Sequence, residues 1–404
     1  MSRESRQRLR EARAEVRLPQ GRPRRRWFVP LVALLVAGLS VVAWQRFGSK
    51  PKTHAESPEQ AGGFKPPATF AELCALKTNE LANCDIALMN LLCAEGLRGA
   101  ENLNVKECLE RLDGIAQKVK SEIDRHLYKF RDHPEEFNHS EGYYRMMMMA
   151  TVLQQDLGIR YNPARARSPW NKEIQPSEVF FANSQDVFIH GLARERGAGT
   201  CSSMPVFYVA IGRRLGYPLK LVRAQGHLFA RWDEGDKSFN IEGTSLGFVS
   251  DPDSFYRTWP RAFTAEEAEA ESYLKPLTPV QELATFLSIR GACCRAATNW
   301  LWALGSYQHA FKLEPQSVGH QLLFAVTERD AYIAGELPKR AALQFAIRSL
   351  ELPPGPLQAE FLARKASLNA RNLAGADEGE IEWELDLLRT EVNSFRGFRY
   401  PGNP

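Results

Sequence analysis

Beyond residue 50 the chain has no basic stripe interleaved with aromatic residues, although its formal charge is +4 over 404 residues. The first 26 residues hold ten Arg against three Glu, a charge of +7, so the other 378 carry −3. A mildly acidic body argues against a nucleic-acid partner. Cysteine is scarce and odd in number: Cys74, Cys84, Cys93, Cys108, Cys201, Cys293 and Cys294. Their spacings match no zinc-ligand pattern, and seven are too few for a disulfide knot. In an oxidising compartment six of them have partners available and one stays free; otherwise all but Cys201 read as small buried apolar residues. With 28 Gly in no three-residue period and 44% hydrophobic residues, the chain is neither collagen-like nor a disordered polymer. No metal or cofactor is expected. His126, His133 and His139 lie scattered in a charged stretch and read as surface residues. Met146–Met149 are consecutive, so on a helix they point all ways and pack rather than converge on an ion.

One long uncharged run is present. Residues 27–44, WFVPLVALLVAGLSVVAW, are eighteen residues without a charge. As a helix they span about 27 Å, close to a hydrocarbon core. Tryptophan at both ends suits the interfacial belt, and the Arg-rich flank belongs on the cytoplasmic side. The expectation is a single-pass inner-membrane anchor with everything after it exported to the periplasm. A cleaved signal peptide and a twin-arginine signal at Arg25-Arg26-Trp27-Phe28 remain as alternatives. The organisation follows: basic tail 1–26, anchor 27–44, flexible tether 45–68, helical part 69–175, mixed helix-and-strand core 176–262, linker 263–278, helical region 279–395 and tail 396–404.

Within 69–175 three helices are predicted. One is the apolar run 86–93, which stops at Gly96. The second, 105–130, has apolar residues at Val105, Leu109, Leu112, Ile115, Val119 and Ile123. The third, Tyr143 to Leu157, is capped by Gly158.

The chemistry lies between Asn183 and Thr244. Gly199-Thr200-Cys201-Ser202-Ser203 leads into a buried helix from Ser202 to Leu215, which Gly216 ends. Cys201 at the positive end of that helix is placed for a thiolate. Two strands follow, Leu219–Ala224 and His227–Trp232, then a turn at 233–237 and a partner strand Ser238–Glu242. The hairpin brings His227 and Glu242 to one end, as directly opposed residues. A thiol, an imidazole to take its proton and a carboxylate to orient the imidazole are the parts of a nucleophilic acyl-transfer site. The Cys201 N–H, Gln185 and Asn183 are candidate oxyanion donors, though Asn183-Ser184 also reads as the cap of a helix from Gln185 to Leu192.

The order Cys, His, acid, on a helix and then a hairpin, resembles the transglutaminase-like superfamily. The resemblance lies in Cys201, in His227-Leu228-Phe229-Ala230-Arg231-Trp232 and in Phe239-Asn240-Ile241-Glu242-Gly243-Thr244; Arg213-Arg214-Leu215-Gly216-Tyr217-Pro218 and Asn183-Ser184 resemble a bacterial subgroup. It covers about 80 of the 404 residues. It implies an α+β fold with a papain-like core, Cys201 as nucleophile, His227 as base, Glu242 as orienting acid and a peptide or protein substrate. Two departures stand out: Glu where the family usually has Asp, and Gly243 where it has Pro. Asn240 is the less favoured third member. Since some members of the subgroup lack the cysteine, a catalytically inactive scaffold is the alternative function.

Ala284 to Pro315 fits a tetratricopeptide hairpin through Leu287, Gly291, Ala303, Tyr307, Ala310 and Pro315. A second copy near Ala341, Phe345 and Pro353 is out of period. So short an array is expected to pack on the core, or to offer a groove to a protein partner. Residues 265–272, AEEAEAES, read as a solvated acidic helix.

Overall fold

A computed structural model describes residues 64–165, 177–348, 350 and 358–397. The basic tail, the apolar run 27–44, nearly all of the tether 45–68 and most of the tail 396–404 lie outside the described residues. Among the described residues no helix is long and apolar enough to cross a membrane. The architecture is α+β, mostly helical with two small sheets.

The helical part opens with a short helix, Phe70–Ala75, capped by Thr69, and with α1, Ile86–Ala94, capped by Asp85. In α2, Val105–His126, the 3–4 spacing buries Leu112, Ile115, Val119 and Ile123. Helix α3, Glu141–Thr151, buries Met146 and Met149 in the core and runs on into a π-helical turn, Val152–Asp156. Gly158 follows at φ +69°. The π turn is absent from any periodicity argument, and it aims Gln154 at the loop after residue 243, as described below.

Strand β1, Arg160–Tyr161, pairs in parallel with β2, Ala198–Gly199. The helix expected from Gln185 to Leu192 is instead two pieces, Ser184–Val187 and a 3-10 turn Ile189–Gly191. The Ile189 N–H donates to the buried side chain of Asn90 at 2.9 Å rather than continuing the helical ladder. The chain then folds back so closely that a β-carbon on Gly191 would lie 1.8 Å from the Gln185 carbonyl oxygen.

Helix α4, Met204–Arg214, is buried on every side over its first nine residues. It starts two residues later than predicted because Ser203 N–H and Met204 N–H both donate to the Thr200 carbonyl, which leaves Cys201–Ser203 as a turn. The second sheet has the order β3-β4-β5: Leu219–Ala224, His227–Trp232 and Phe239–Ile241, all antiparallel. Gly226, at φ +76°, closes the two-residue turn that makes His227 the first residue of β4.

The stretch expected as a linker, 263–278, is a working part of the core. After α6, Ala265–Ala270 (α5 is the short helix Asp253–Tyr256), the chain lies along the free edge of β3. Leu274 N–H donates to Arg223 O at 3.0 Å and Leu277 N–H to Leu221 O at 2.8 Å. That covers an edge strand that would otherwise expose its pairing groups. Six helices follow: α7 Pro279–Ala296, α8 Trp300–Leu313, α9 Val318–Ile333, α10 Lys339–Arg348, α11 Gln358–Leu373 and α12 Glu378–Gly397. The α7–α8 hairpin is the helix pair expected between Ala284 and Pro315. Leu287, Ala303, Tyr307 and Ala310 are fully buried, and a β-carbon on Gly291 would meet the Tyr307 ring at 2.7 Å. Pro353 lies outside the described residues. Helices α10–α12 share a separate apolar core that includes Leu343, Phe361, Leu368 and Leu385.

The helical hairpin packs on α4 and the second sheet through ion pairs. Arg213 at the end of α4 forks onto Glu282 in α7, which has no exposed surface. Arg223 in β3 forks onto Glu314 at the end of α8, with Nη1 donating to Oε2 at 2.9 Å. His320 and Gln281 also hold Glu314, at 3.1 and 3.2 Å. Burial pushes the Glu314 carboxyl up, but His320 and Arg223 outweigh it and hold the pKa down at about 2.

Candidate active site

Cys201 stands at the junction of β2 and α4, and its turn is pinned from below. Thr200 Oγ1 donates to Asp186 O at 3.0 Å and Ser203 Oγ donates to the same carbonyl at 2.8 Å, while Thr200 N–H donates to Ser203 Oγ at 3.0 Å. Gly199 must be glycine for this to close, since a β-carbon there would lie 2.4 Å from Ser203 Oγ. The thiol is half-buried and unpaired; all seven cysteines are free, so none of the disulfides left open by the sequence is present. The Cys201 N–H donates to no acceptor among the described residues, which leaves it available to a developing oxyanion.

His227 and Glu242 are both buried, with Nε2 of the imidazole 2.7 Å from Oε2 of the carboxylate. The Cys201 thiol is near enough to this imidazole to raise its proton affinity. The ladder pairs Ala230 with Ile241, so in register Glu242 falls opposite Phe229 and diagonal to His227 rather than directly opposed to it. The two still share a face because positions 227 and 229 do. Diagonal placement is what the longer Glu side chain spans.

The carboxylate is held at all four corners. Oε1 accepts from the N–H of Thr244 at 2.9 Å and from its hydroxyl; Oε2 accepts from His227 and, at 3.2 Å, from the Tyr256 hydroxyl. Burial pushes the Glu242 pKa up, but the bonds from His227 and Thr244 outweigh it and bring it below the usual carboxylate range. Burial, then the negative charge of Glu242, drives Tyr256 far up, so its phenol stays protonated and donates. Burial alone would make His227 less basic; hydrogen bonds to Cys201 and Glu242 and their charges reverse this and raise its pKa to about 9. Since the folded value lies above the unfolded one of 6.5, the stabilisation is complete below pH 6.5 and is lost as pH rises through about 9. Urea midpoints of the wild type are expected to fall across that window. Those of His227→Gln should stay level there; a parallel fall in both would refute the ion-paired imidazole.

Aromatic rings wall the site. Trp259 meets the imidazole edge-on at 4.7 Å between ring centres, Tyr256 stacks on Phe229 at 3.9 Å, and Phe255 and Trp259 form an outer shelf, 37% and 39% exposed. The sequence reading missed Tyr256 and Trp259 and left Thr244 without a role. The aromatic run Phe255-Tyr256 to Trp259 was visible, but nothing in one sequence ties it to Glu242. Gln154, from the π turn, grips the loop bearing Thr244: its amide donates to Ser245 O at 3.0 Å and to the Tyr208 hydroxyl at 3.1 Å, and it accepts from Gly247 N–H at 2.7 Å.

Three further candidates are tied into the surrounding fold. Asn183 Oδ1 caps Gln185 N–H at 2.9 Å. Gln185 is committed at both ends, donating to Gly99 O at 2.9 Å and accepting from Arg194 at 2.8 Å. No hydrogen bond among the described residues joins either side chain to Cys201. Asn240 shares the face of Glu242, but its amide serves Arg231, Asp251 and Asp253, which anchor the α5 helix carrying Tyr256. The protein matches no protein-family model, no curated protein and no solved structure.

Proposed function

We propose that the protein is a membrane-anchored, exported cysteine enzyme with a papain-like core of the transglutaminase-like kind, which transfers acyl groups through a thioester. The observation that carries the reading is His227 joined to Glu242 at 2.7 Å, on the strands that follow the helix headed by Cys201. His227 takes the proton of the Cys201 thiol and the sulfur attacks the carbonyl carbon of a peptide or amide. The resulting oxyanion faces the Cys201 N–H. As the C–N bond breaks, His227 returns the proton to the leaving amine. Water, or a second amine, then attacks the thioester carbonyl, loses its proton to His227 and frees the thiol. Glu242 fixes the ring orientation and balances the imidazolium.

The test is an activity-based thiol probe with a peptide and amide library, run on wild type beside Cys201→Ala. Probe labelling and turnover are expected in the wild type, and both should vanish in the variant with its urea unfolding curve unchanged. Equal turnover in Cys201→Ala would dispose of the mechanism. A non-catalytic scaffold is the second reading. It is favoured by Val318 and Leu322, one turn apart on α9 and each more than half exposed, which offer an apolar face to a protein partner.

A further inference from the structure

A cleft of about 830 Å³ adjoins the head of α4. It lies among β1, Met204 and the loop 244–246, so its walls are chain neighbours of Cys201 on one side and of Glu242 on the other. Its size suits a ligand site. Four arginines line it: Arg111 from α2, Arg160 from β1, and Arg194 and Arg196 from the loop before β2. None is in an ion pair among the described residues. Among the described residues the Arg194 guanidinium donates to Gly191 O and Gln185 Oε1, and that of Arg160 to Arg196 O. Five other arginines are placed differently: Arg165, Arg213, Arg214, Arg223 and Arg231 each meet a carboxylate. The lining carries two acids, Asp156 and Glu195, which leaves an excess of two positive charges. This excess sits on a body whose charge is −3 after residue 26. Arg196 is moreover held at φ +49°, a conformation non-glycine residues rarely take, against the open face of Gly158.

We propose that this cleft binds an acidic peptide segment and so selects carboxylate-rich acyl donors for Cys201. The inference rests on the thiol mechanism above for its link to catalysis. Guanidinium groups pair with carboxylates in a forked geometry. Between them the cleft presents Ile115, Leu157, Ile159 and Leu246. Carboxylates carried on short hydrocarbon arms, as in Asp and Glu side chains, satisfy both features. A compact phosphate uses only the charge.

The experiment uses the full-length chain in detergent with fluorescein-labelled hexaglutamate, hexaserine and hexalysine, read by anisotropy. Hexaglutamate is expected to bind, more weakly as salt rises. Arg160→Gln/Arg196→Gln should weaken it by about tenfold or more. Arg111→Gln, on an exposed helix face, is the second variant should the pair not fold. Cys201→Ala should bind as the wild type does, and bound hexaglutamate should slow iodoacetamide alkylation of Cys201. Four results would overturn the proposal: no binding, equal binding of hexaserine, no effect of the arginine substitutions, or binding that leaves alkylation unchanged. Stronger binding of inorganic polyphosphate than of hexaglutamate would replace the peptide by a phosphate ligand. The two readings fail separately. A reactive Cys201 with no hexaglutamate binding rejects the cleft alone, whereas tight binding beside an inert Cys201 rejects the mechanism.

Discussion

Glu242→Ala is expected to slow turnover by about 10²–10⁴-fold, the range a positioned acid–base system contributes. The carboxylate bonds His227 at 2.7 Å and Thr244 N–H at 2.9 Å, and it also accepts from the hydroxyls of Thr244 and Tyr256. Its removal frees the imidazole to rotate away from the thiol and strips the imidazolium of its counter-charge. Glu242→Asp is the sharper test. Aspartate is the usual acid in the family the sequence resembles, so a simple charge requirement would let it restore activity. Here the scaffold is built around the longer side chain, since Glu242 reaches His227 on a diagonal while staying bonded to Thr244 at the foot of its own strand. Shortening the arm by one methylene gives up one end or the other, and a displacement of about 1 Å at a catalytic group costs about 10²-fold. Glu242→Asp should therefore lie close to Glu242→Ala in kcat, with KM little changed. Full activity in the aspartate variant would show that Thr244 and Tyr256 do not set the length of the acid.

The parts of the site legible in the sequence are those fixed by local pattern. Strands β3 and β4 fall where alternation and the Gln225-Gly226 turn place them, and the first helical hairpin falls where Gly291 and Tyr307 imply a close crossing. His227 and Glu242 meet at one end of the hairpin, as their order on it suggested, though diagonally rather than directly opposed. What was not legible depends on partners far away along the chain. The Asn90 side chain breaks the helix after Val187 from 99 residues upstream. Tyr256 and Gln154 reach the site from elements whose own sequences carry no mark of it. The supposed linker pairs with β3 through backbone groups, to which side-chain composition is blind.

The same long-range logic makes Glu314 the position where a single change should cost most in stability. Arg223 is almost completely buried, and Glu314 is its charge partner between β3 and the end of α8. Breaking a buried pair by deleting one member leaves the other charge unsolvated, at a cost of about 3–5 kcal/mol. Glu314→Leu is expected to lower the unfolding free energy by that amount in urea titration. Arg223 retains Glu271 O as an acceptor at 2.7 Å, which is a neutral group and no substitute for the carboxylate. Arg223→Met/Glu314→Leu should recover most of the loss, because removing both charges removes the desolvation penalty along with the attraction. His320 then keeps Ser288 as a partner at 2.9 Å. Acid provides an independent reading of the same pair. A carboxyl lowered to about 2 from an ordinary 4.5 contributes in full above pH 4.5, and the contribution drains away as pH falls through 2. The double variant should lose that segment of the acid-unfolding curve, whereas Glu282, whose pKa burial raises, has no such segment to lose. If Glu314→Leu and the double variant are equally destabilised, the ion pair is not what holds the helical hairpin to the sheet, and the surrounding apolar contacts carry the interface instead.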